Sequence, residues 1–224
     1  MLPTSIYIHR NDTADTFDLI ARSWYGFRHR SIFTADLTQL AERWKSGRLL
    51  NIGCAHGPDF LPFRGTFNLS GVDISREMLI LARKYADKHK FDVKLILGDA
   101  VQLPVTDEAF DFSIAVASLH HIPEKRLRIN ALQELRRVLK PGGEAFVTLW
   151  NRYQPRFWAR RPDTIVPWRS SGQVLPRFYH LYSYGEAVRD AKSAGFSILR
   201  AYPESGYKFP VKMFSRNICL LLRK

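Results

Sequence analysis

Two glycines and a later aspartate have the spacing of a site that binds a nucleoside. Gly53 and Gly57 follow an apolar run at residues 49–52, and Asp73 closes a second strand-like run twenty residues after Gly53. Glycine allows the backbone to approach a ligand closely where a strand ends. An acid at the end of the next strand can accept hydrogen bonds from both ribose hydroxyls. This spacing therefore favours a ligand that contains adenosine.

The glycine spacing disfavours a dinucleotide as that ligand. A dinucleotide site typically reads Gly-x-Gly-x-x-Gly, ahead of a helix N-terminus that faces the pyrophosphate. Here the pattern is Gly-x-x-x-Gly, and Pro58 follows it. A glycine pair alone also occurs in turns that only join a strand to a helix, so the surrounding motifs have to decide.

Three further motifs follow along the chain. They are a Gly-Asp pair within Leu97–Pro104, Asp-Glu-Ala-Phe-Asp-Phe at 107–112 and Leu-Lys-Pro-Gly-Gly at 139–143. In order and spacing, the motifs across residues 48–150 resemble those of class I S-adenosylmethionine-dependent methyltransferases. The resemblance implies S-adenosyl-L-methionine as the cofactor. It also implies an α/β Rossmann-like fold, with a seven-stranded, mostly parallel sheet and helices on both faces.

The same resemblance assigns the cofactor-binding residues. Gly53 and Gly57 would line the methionine end of the cofactor, Asp73 the ribose, and Asp99 with Ala100 the adenine. The full predicted cofactor set is Asn51, Gly53, Gly57, Asp73, Ile74, Asp99, Ala100 and Ser118.

Two positions depart from the family pattern. Asn51 stands where the family usually has an acid, and Ala55 stands where it usually has glycine. The side-chain carbonyl of Asn51 can accept a hydrogen bond from the methionine ammonium, but it brings no charge. We therefore expect a lower affinity for the cofactor than an acid would give.

Length and composition allow one full α/β domain with appendages. The chain has 224 residues, and 46% of them are hydrophobic, which suffices for a buried core. No apolar run approaches the roughly eighteen residues of a membrane helix, and Met1–Thr4 lacks a secretory pattern. We therefore expect a cytoplasmic protein that does not bind membranes. Cys54 and Cys219 are isolated in sequence, so neither a disulfide nor a bound metal is expected.

The pattern of apolar residues predicts a single methyltransferase domain over residues 1–224. It starts with an N-terminal helical segment at 1–47, centred on Asp15–Trp44. Strands are predicted near 49–53, 68–72, 93–97, 111–117 and 145–150, separated by helices near 58–63, 75–89 and 124–139. The alternation then lapses in a basic, aromatic-rich insertion at 151–183. A helix from Tyr184 and strands near 196–202 and 217–222 complete the domain, the last two as an antiparallel pair.

Positive charge is concentrated in the last third of the chain. The net charge is +13, and residues 151–224, with fourteen basic and four acidic residues, contribute +10. Six arginines within 151–177 are interleaved with tyrosine, phenylalanine and tryptophan. Basic groups attract a phosphate backbone, and aromatic rings stack on unpaired bases. This pattern favours RNA as a partner, and a basic surface that serves only solubility is the alternative.

Motifs outside the cofactor region narrow the resemblance. They are residues 17–21 with Arg28 downstream, Leu-His-His-Ile at 119–122, Glu134–Gly143, Thr-Leu-Trp at 148–150, Ile-Val-Pro-Trp at 165–168 and Arg-Phe-Tyr-His-Leu-Tyr at 177–182. Together they resemble the tRNA wobble-uridine carboxymethyl methyltransferase family over nearly the whole chain. The resemblance implies methylation of the carboxylate of 5-carboxymethyluridine, in the anticodon loop of tRNA. Segment 27–32 departs from the family's Thr-Arg-Tyr-Lys-Pro-Trp and keeps only the arginine.

That family works with a small zinc-binding activator subunit, which pairs with the edge of the sheet. In the implied fold, the strand Val93–Leu97 lies at this edge, and it is apolar apart from one lysine. An exposed edge of this kind invites pairing by another chain. Coverage by the protein's own loops is the alternative.

A carboxylate acceptor determines what the catalytic residues have to do. It is already anionic at neutral pH, so no general base is required. The remaining task of the site is to align the reacting atoms while water is excluded. Arg28 and Arg177 could orient the carboxylate with their guanidinium groups. His120 would position the substrate, and Tyr179 could stack on the uracil or hydrogen-bond it. The structural alternatives are core packing for Tyr179, a surface charge for Arg28 and a turn-shaping role for His121.

Two other functions fit parts of the sequence. Residues 48–150 would serve a methyltransferase of a small lipid or metabolite equally well, although six arginines in the insertion are unlike an apolar substrate pocket. The departures at Asn51 and Ala55 fit a non-catalytic RNA-binding relative with a degenerate cofactor site. Binding of S-adenosylmethionine would separate an enzyme from such a relative.

Overall fold

A seven-stranded sheet forms the centre of the protein, and the computed structural model describes residues 10–170, 172–209 and 211–224. The strand order is β3-β2-β1-β4-β5-β9-β8, and β6 with β7 forms a separate hairpin. β1 to β5 pair in parallel, whereas β9 pairs antiparallel with both β5 and β8. This arrangement confirms the predicted sheet. The strands are β1 (Gly47–Ile52), β2 (Phe67–Asp73), β3 (Lys94–Leu97), β4 (Phe110–Val116), β5 (Leu139–Trp150), β6 (Asp163–Ser170), β7 (Gln173–His180), β8 (Ser197–Pro203) and β9 (Asn217–Arg223).

The strand order reverses between β1 and β4. The chain proceeds outward from β1 to β2 and β3, and it then returns to place β4 on the other side of β1. At such a reversal the connections leave the sheet in opposite directions, and a crevice opens at the carboxyl ends of the two strands. Residues that follow β1 and β4 are therefore brought together.

Helices cover both faces of the sheet. Because neighbouring residues of a strand point to opposite faces, Leu50 packs in one core with Leu135 and Ala191, while Leu49 packs in another with Leu37. Within the described ranges, no helix is long and apolar enough to cross a membrane. The helices are α1 (Arg10–Phe27), α2 (Thr34–Trp44), α3 (Arg76–His89), α4 (Lys125–Val138) and α5 (Tyr184–Ser193).

Residues 1–9 of the predicted N-terminal helical segment lie outside the described residues; within 10–44 the segment forms two helices, with a break at residues 28–33. The Ser31 hydroxyl accepts a hydrogen bond from the backbone N–H of Phe33 at 3.1 Å, and the Thr34 hydroxyl donates to the Ser31 carbonyl at 2.7 Å. Such local bonds compete with the helical hydrogen-bond pattern. The break leaves Arg28 immediately after the end of α1.

Some element boundaries differ from those predicted. The segment Pro58–Phe63 is a 3₁₀ helix, and β5 starts at Leu139 because Leu139 already pairs with Phe110 of β4. Serine is a preferred N-cap residue, and Ser75 caps α3, since its hydroxyl accepts from the N–H of Met78 at 3.1 Å.

The insertion at 151–183 contains an ordered antiparallel hairpin, where the sequence pattern predicted no strand. β6 and β7 pair in a continuous register, and Phe157, Val166 and Tyr179 form a small core with it. Pro167 and Pro176 stand opposite each other in that register. Because proline cannot donate to a strand ladder, its presence hides these strands in a sequence pattern.

Glu144, in β5, links three parts of the fold. Its carboxylate accepts hydrogen bonds from Arg43 and Trp44 of α2 and from Arg223 of β9, at 2.8 to 2.9 Å. Its side chain is only 7% exposed. These bonds, above all those from Arg43, lower the pKa of Glu144 to about 2. The carboxylate therefore stays ionised in the folded protein and holds α2 against the sheet.

Glu144→Gln should lower the free energy of unfolding at pH 7 by about 2 kcal/mol, because an amide cannot neutralise the arginines that surround it. Since the folded-state pKa is depressed, the stabilisation is complete above pH 4.5 and is lost as the pH falls towards about 2. Urea unfolding at pH 7 and near pH 3 would measure it. Glu42→Gln, at an exposed position of α2, is the control. A deficit of equal size at both pH values would contradict the assignment.

Candidate active site

A cavity of about 190 Å³ opens at the carboxyl ends of β1, β2 and β4 and is bounded by residues of α1, β5 and β7. It joins the predicted cofactor end, at Asp73 and Asp99, to the predicted acceptor end, at His120 and Tyr179. Nine of the twelve predicted site residues line it: Arg28, Gly53, Asp73, Ile74, Asp99, Ala100, Ser118, His120 and Tyr179.

The floor of the cavity is a close contact between the ends of β1 and β4. Gly53 has a φ of +68°, and a Cβ atom on it would lie 2.4 Å from the Cβ of Ser118. The Ser118 hydroxyl donates to the Ile52 carbonyl at 2.9 Å, which ties the two strand ends together. Glycine is therefore required at position 53 both for its backbone conformation and for space.

Asp73 is held by the turn that follows β1. One carboxylate oxygen accepts from the N–H of Ala55 at 2.7 Å, and the other accepts from the N–H of Ser75 at 2.9 Å. Burial raises the pKa of the Asp73 carboxyl to about 6, although these hydrogen bonds oppose the change. Ala55 has a φ of +47°, a conformation that costs an L-residue about 1–2 kcal/mol. The family's usual glycine would avoid that cost.

The predicted adenine end is a tight turn after β3. Asp99 and Ala100 are half-buried and line the cavity beside Val101. A carboxylate oxygen of Asp99 accepts from the N–H of Val101 at 3.0 Å, and the N–H of Gly98 donates to the Asp73 carbonyl at 3.0 Å. The turn is thereby joined to the end of β2.

Three predicted residues do not line the cavity. Asn51 is fully buried in β1, and neither polar atom of its side chain has a hydrogen-bond partner within the described part of the chain. Gly57 has a φ of +89° and shapes the start of the 3₁₀ helix, next to the Phe60 ring. Arg177 lies behind Tyr179, with 7% of its surface exposed.

An aromatic stack forms the acceptor end. The ring of Tyr179 stacks on Trp150 at a centroid distance of 4.1 Å and on His120 at 5.2 Å. Tyr179 is 2% exposed and His120 is fully buried. A stack of this kind excludes water from one side of a ligand and offers a flat surface to a planar base.

The two neighbouring histidines differ in their hydrogen bonds. His121 donates through Nδ1 to the Phe178 carbonyl at 2.8 Å, and this bond holds the hairpin against the turn. Burial lowers the pKa of His121 to about 3. His120 Nδ1 accepts a long bond of 3.4 Å from the N–H of Trp150, and burial lowers its pKa well below the usual range. A neutral His120 therefore carries its proton on Nε2, which has no partner among the described residues.

Arg28 and Arg177 lie over the same indole ring. Their guanidinium carbons are 5.4 Å and 5.6 Å from the centroid of Trp24, and Arg177 is also 5.0 Å from that of Trp168. Burial lowers the pKa of both groups, which still remain charged at neutral pH. Neither takes part in an ion pair within the described ranges. Aromatic faces provide part of their stabilisation.

Two hydrogen bonds fix the backbone at Arg28 and at the residue after it. The Arg28 carbonyl accepts a hydrogen bond from Nε2 of His56 at 2.6 Å, and the His29 carbonyl accepts from the Tyr85 hydroxyl at 2.8 Å. Burial lowers the pKa of His56 to about 4, so this bond is made by a neutral imidazole. Arg28 is consequently presented to the cavity by two buried side chains.

The hairpin turns different faces to the cavity and to solvent. Tyr179 lines the cavity and Arg177 is buried behind it, whereas Arg169 of the hairpin is exposed, as are the arginines at 156, 160 and 161 in the segment before it. Trp158, among these arginines, is 65% exposed. The predicted basic and aromatic surface is thus present beside the acceptor end.

The edge of the sheet is where the sequence placed it. β3 pairs with β2 and with no second strand in the part of the chain that the structure describes. Leu97, at its end, is 56% exposed.

Several cavity residues were missed in the sequence. Trp150 ends β5, and its position at a strand end was an available signal. Phe17 belongs to the family motif at 17–21 and Trp24 shows helical spacing, but neither was assigned to the site. Asp59 and Ser31 belong to a 3₁₀ helix and a loop, which have no periodic pattern to indicate their direction.

Comparisons with known proteins agree with this geometry. A methyltransferase domain family matches residues 49–143. The probable tRNA methyltransferase 9B of Homo sapiens is 26% identical over 184 residues, which is 81% of this chain and 37% of that protein. The tRNA (carboxymethyluridine(34)-5-O)-methyltransferase of Arabidopsis thaliana is 34% identical over 102 residues, which is 46% of this chain and 24% of that protein. The chain thus spans less than half the length of these relatives.

Solved structures share the whole fold. The CcbJ methyltransferase from Streptomyces caelestis has a TM-score of 0.74 at 17% identity, over 95% of this chain and 97% of that one. The 1,6-didemethyltoxoflavin-N1-methyltransferase of Burkholderia thailandensis, solved with S-adenosylhomocysteine, has a TM-score of 0.68 at 15% identity, over 99% and 93%. The chain has the class I S-adenosylmethionine-dependent methyltransferase fold, and residues 49–143 match a methyltransferase domain family.

The cavity of this methyltransferase domain fits S-adenosylmethionine. Asp73 presents a buried carboxylate, fixed by two backbone N–H groups, where ribose hydroxyls need acceptors. Gly53 leaves no side chain between this carboxylate and the acceptor end. The cofactor is a positively charged sulfonium, and three acids, Asp59, Asp73 and Asp99, line the cavity.

Asp73→Ala should weaken binding of S-adenosylhomocysteine by about 100-fold or more, since charged hydrogen bonds to the ribose are lost. Arg28→Ala, at the acceptor end, should change it by no more than about threefold. Titration calorimetry measures both, and thermal unfolding checks that each variant is folded. Equal losses in the two variants would contradict the separation of a cofactor end from an acceptor end.

Proposed function

We propose that this methyltransferase forms the methyl ester of 5-carboxymethyluridine at the wobble position of tRNA. The observation that carries the proposal is the pair of guanidinium groups at the acceptor end. Arg28 and Arg177 lie over the Trp24 ring without an ion-pair partner in the described ranges. A charge that is buried without a counter-ion is costly, and an incoming carboxylate would relieve that cost.

The residues suit a carboxylate acceptor. When bound, S-adenosylmethionine supplies an electrophilic methyl group. A carboxylate needs no deprotonation at neutral pH, and both buried histidines of the site have lowered pKa values that keep them neutral. Arg28, which lines the cavity, would orient the carboxylate, and Arg177 would add positive charge from behind Tyr179. The stack of Trp150, Tyr179 and His120 would hold the base and exclude water. The chain is thus expected to accelerate the reaction by positioning rather than by acid–base catalysis.

His120 adds a directed hydrogen-bond donor. Its neutral ring accepts at Nδ1 from Trp150, so Nε2 carries the proton. A uracil carbonyl or a carboxylate oxygen would accept from that N–H. This gives His120 a positioning role that does not depend on a change of protonation state near neutral pH.

The exposed face of the hairpin supports tRNA as the substrate. Exposed arginines flank Trp158 in the segment that leads into the hairpin, and the guanidinium carbon of Arg156 lies 5.4 Å from the centroid of the Trp150 ring. Such a surface can bind phosphates and stack on an unpaired base of the anticodon loop. The relatives reported above are named as tRNA methyltransferases, in one case as a probable one. These names also favour tRNA over a small metabolite as the substrate.

The exposed edge of β3 is the proposed position of a partner. A four-residue strand with one paired side offers unsatisfied backbone groups to another chain. We assign this edge, near Val93–Leu97, to a small zinc-binding activator subunit that would add a strand there.

The proposal predicts methyl transfer from labelled S-adenosylmethionine to tRNA that carries 5-carboxymethyluridine. Label should be released by mild alkali, as expected of an ester, and should require both the methyltransferase and the activator. The same tRNA without the carboxymethyl group is the control and should remain unlabelled. Absence of label in every combination, with cofactor binding intact, would refute this acceptor and favour a small metabolite or a non-catalytic role.

Replacing Arg156, Arg160 and Arg161 by glutamine should weaken tRNA binding and flatten its salt dependence. Each lost phosphate contact lowers the slope of log K against log salt by about 0.7 to 0.9. Fluorescence anisotropy between low and moderate salt measures this slope. A matched triple variant at Arg126, Arg189 and Lys192, which are exposed on and next to α4 and α5, should keep the original slope. Equal slopes for the unaltered protein and both triple variants would rule out Arg156, Arg160 and Arg161 as phosphate-binding residues.

A further inference from the structure

At the position where the family pattern has an acid, this chain has the neutral side chain of Asn51. Asn51 carries no charge, is fully buried and does not line the cavity. An ammonium group that leaves water needs an anion or several strong acceptors to offset its lost hydration. Asn51 therefore cannot provide that anion for the methionine end of the cofactor.

Asp59 is a buried acid at the same end of the cavity. It lies two residues after Gly57, in the 3₁₀ helix that follows the turn, and it lines the cavity with Gly53 and Ala55. It is 8% exposed. The carboxylate is thus placed beside the turn from which Asn51 is turned away.

The other two acids of the cavity are already engaged. Asp73 accepts from the N–H groups of Ala55 and Ser75, and Asp99 accepts from that of Val101. Asp59 accepts no backbone N–H among the described residues; it interacts with the hydroxyl of Ser31. Of the three, Asp59 has the most capacity left to bind a ligand.

The surroundings of Asp59 leave its charge poorly compensated. Burial raises the pKa of the Asp59 carboxyl to about 6, while Ser31 and the charge of Arg28 oppose the change. Arg28 forms no ion pair with it within the described ranges. The nearby Cys54 and Tyr85 are neutral groups whose pKa is itself raised, in part by Asp59. A cation in the cavity would therefore stabilise this carboxylate.

We propose that Asp59 is the counter-ion of the methionine ammonium of S-adenosylmethionine, in place of the acid that this chain lacks at Asn51. The proposal rests on the cofactor and not on the identity of the methyl acceptor, so it can fail while the proposed tRNA substrate stands. It makes Asp59 a residue that recognises the amino-acid end of the cofactor, whereas Asp73 and Asp99 recognise its nucleoside end.

The test compares two ligands on two proteins. One ligand is S-adenosylhomocysteine, and the other is its deaminated analogue, in which hydrogen replaces the ammonium and the carboxylate is retained. In the unaltered protein, the analogue should bind about 10- to 100-fold more weakly, the usual value of a charge-assisted hydrogen bond. In Asp59→Asn, which keeps the shape of the side chain, the two ligands should bind within about twofold of each other. Calorimetry gives the affinities without an activity assay.

Asp73→Asn is the matched control. It should weaken both ligands and leave their ratio unchanged, because both contain the ribose. Asp59→Ser, with a smaller neutral side chain, replaces the asparagine variant should that variant fail to fold. Equal affinities of the two ligands for the unaltered protein would overturn the proposal. A ratio that persists in Asp59→Asn and Asp59→Ser would overturn it as well.

Discussion

The contact between Gly53 and Ser118 is the constraint on which the site depends. It closes the gap between the ends of β1 and β4, the two strands at which the sheet reverses its order. The cofactor end and the acceptor end of the cavity therefore lie next to each other. Because no side chain fits at position 53, a ligand can pass from the nucleoside end to the acceptor end without obstruction.

Aromatic rings surround the two arginines of the acceptor end, and neither arginine forms an ion pair within the described ranges. Arg28 and Arg177 both lie close to the ring of Trp24, and burial keeps the neighbouring histidines neutral. At the acceptor end, the positive charge of the arginines is in place before an anion arrives, and the two histidines there do not titrate near neutral pH. Preorganised electrostatics of this kind avoid rearrangement during the reaction. Such a site suits an acceptor that carries its own negative charge.

Most of the fold could be predicted from the sequence, because local patterns determine it. Alternating apolar runs, the Ser75 cap and the glycine turn each act over a few residues, and all agree with the structure. The hairpin was missed because its prolines and arginines mask the strand pattern. The site was predicted less completely, since side-chain direction depends on tertiary packing. Asn51 and Asp59 show this: one turns away from the cavity, and the other enters it from a helix with no periodic pattern.

The shortness of β3 links two distant properties of the protein. Leu97 ends this strand, and Asp99 in the cavity wall follows two residues later. A strand of four residues that is paired on one side has few hydrogen bonds to resist fraying. The turn that carries Asp99, in the wall around the nucleoside end, therefore depends on a strand with few hydrogen bonds. Protection of this sheet edge would therefore steady the turn that carries Asp99 and slow release of the cofactor.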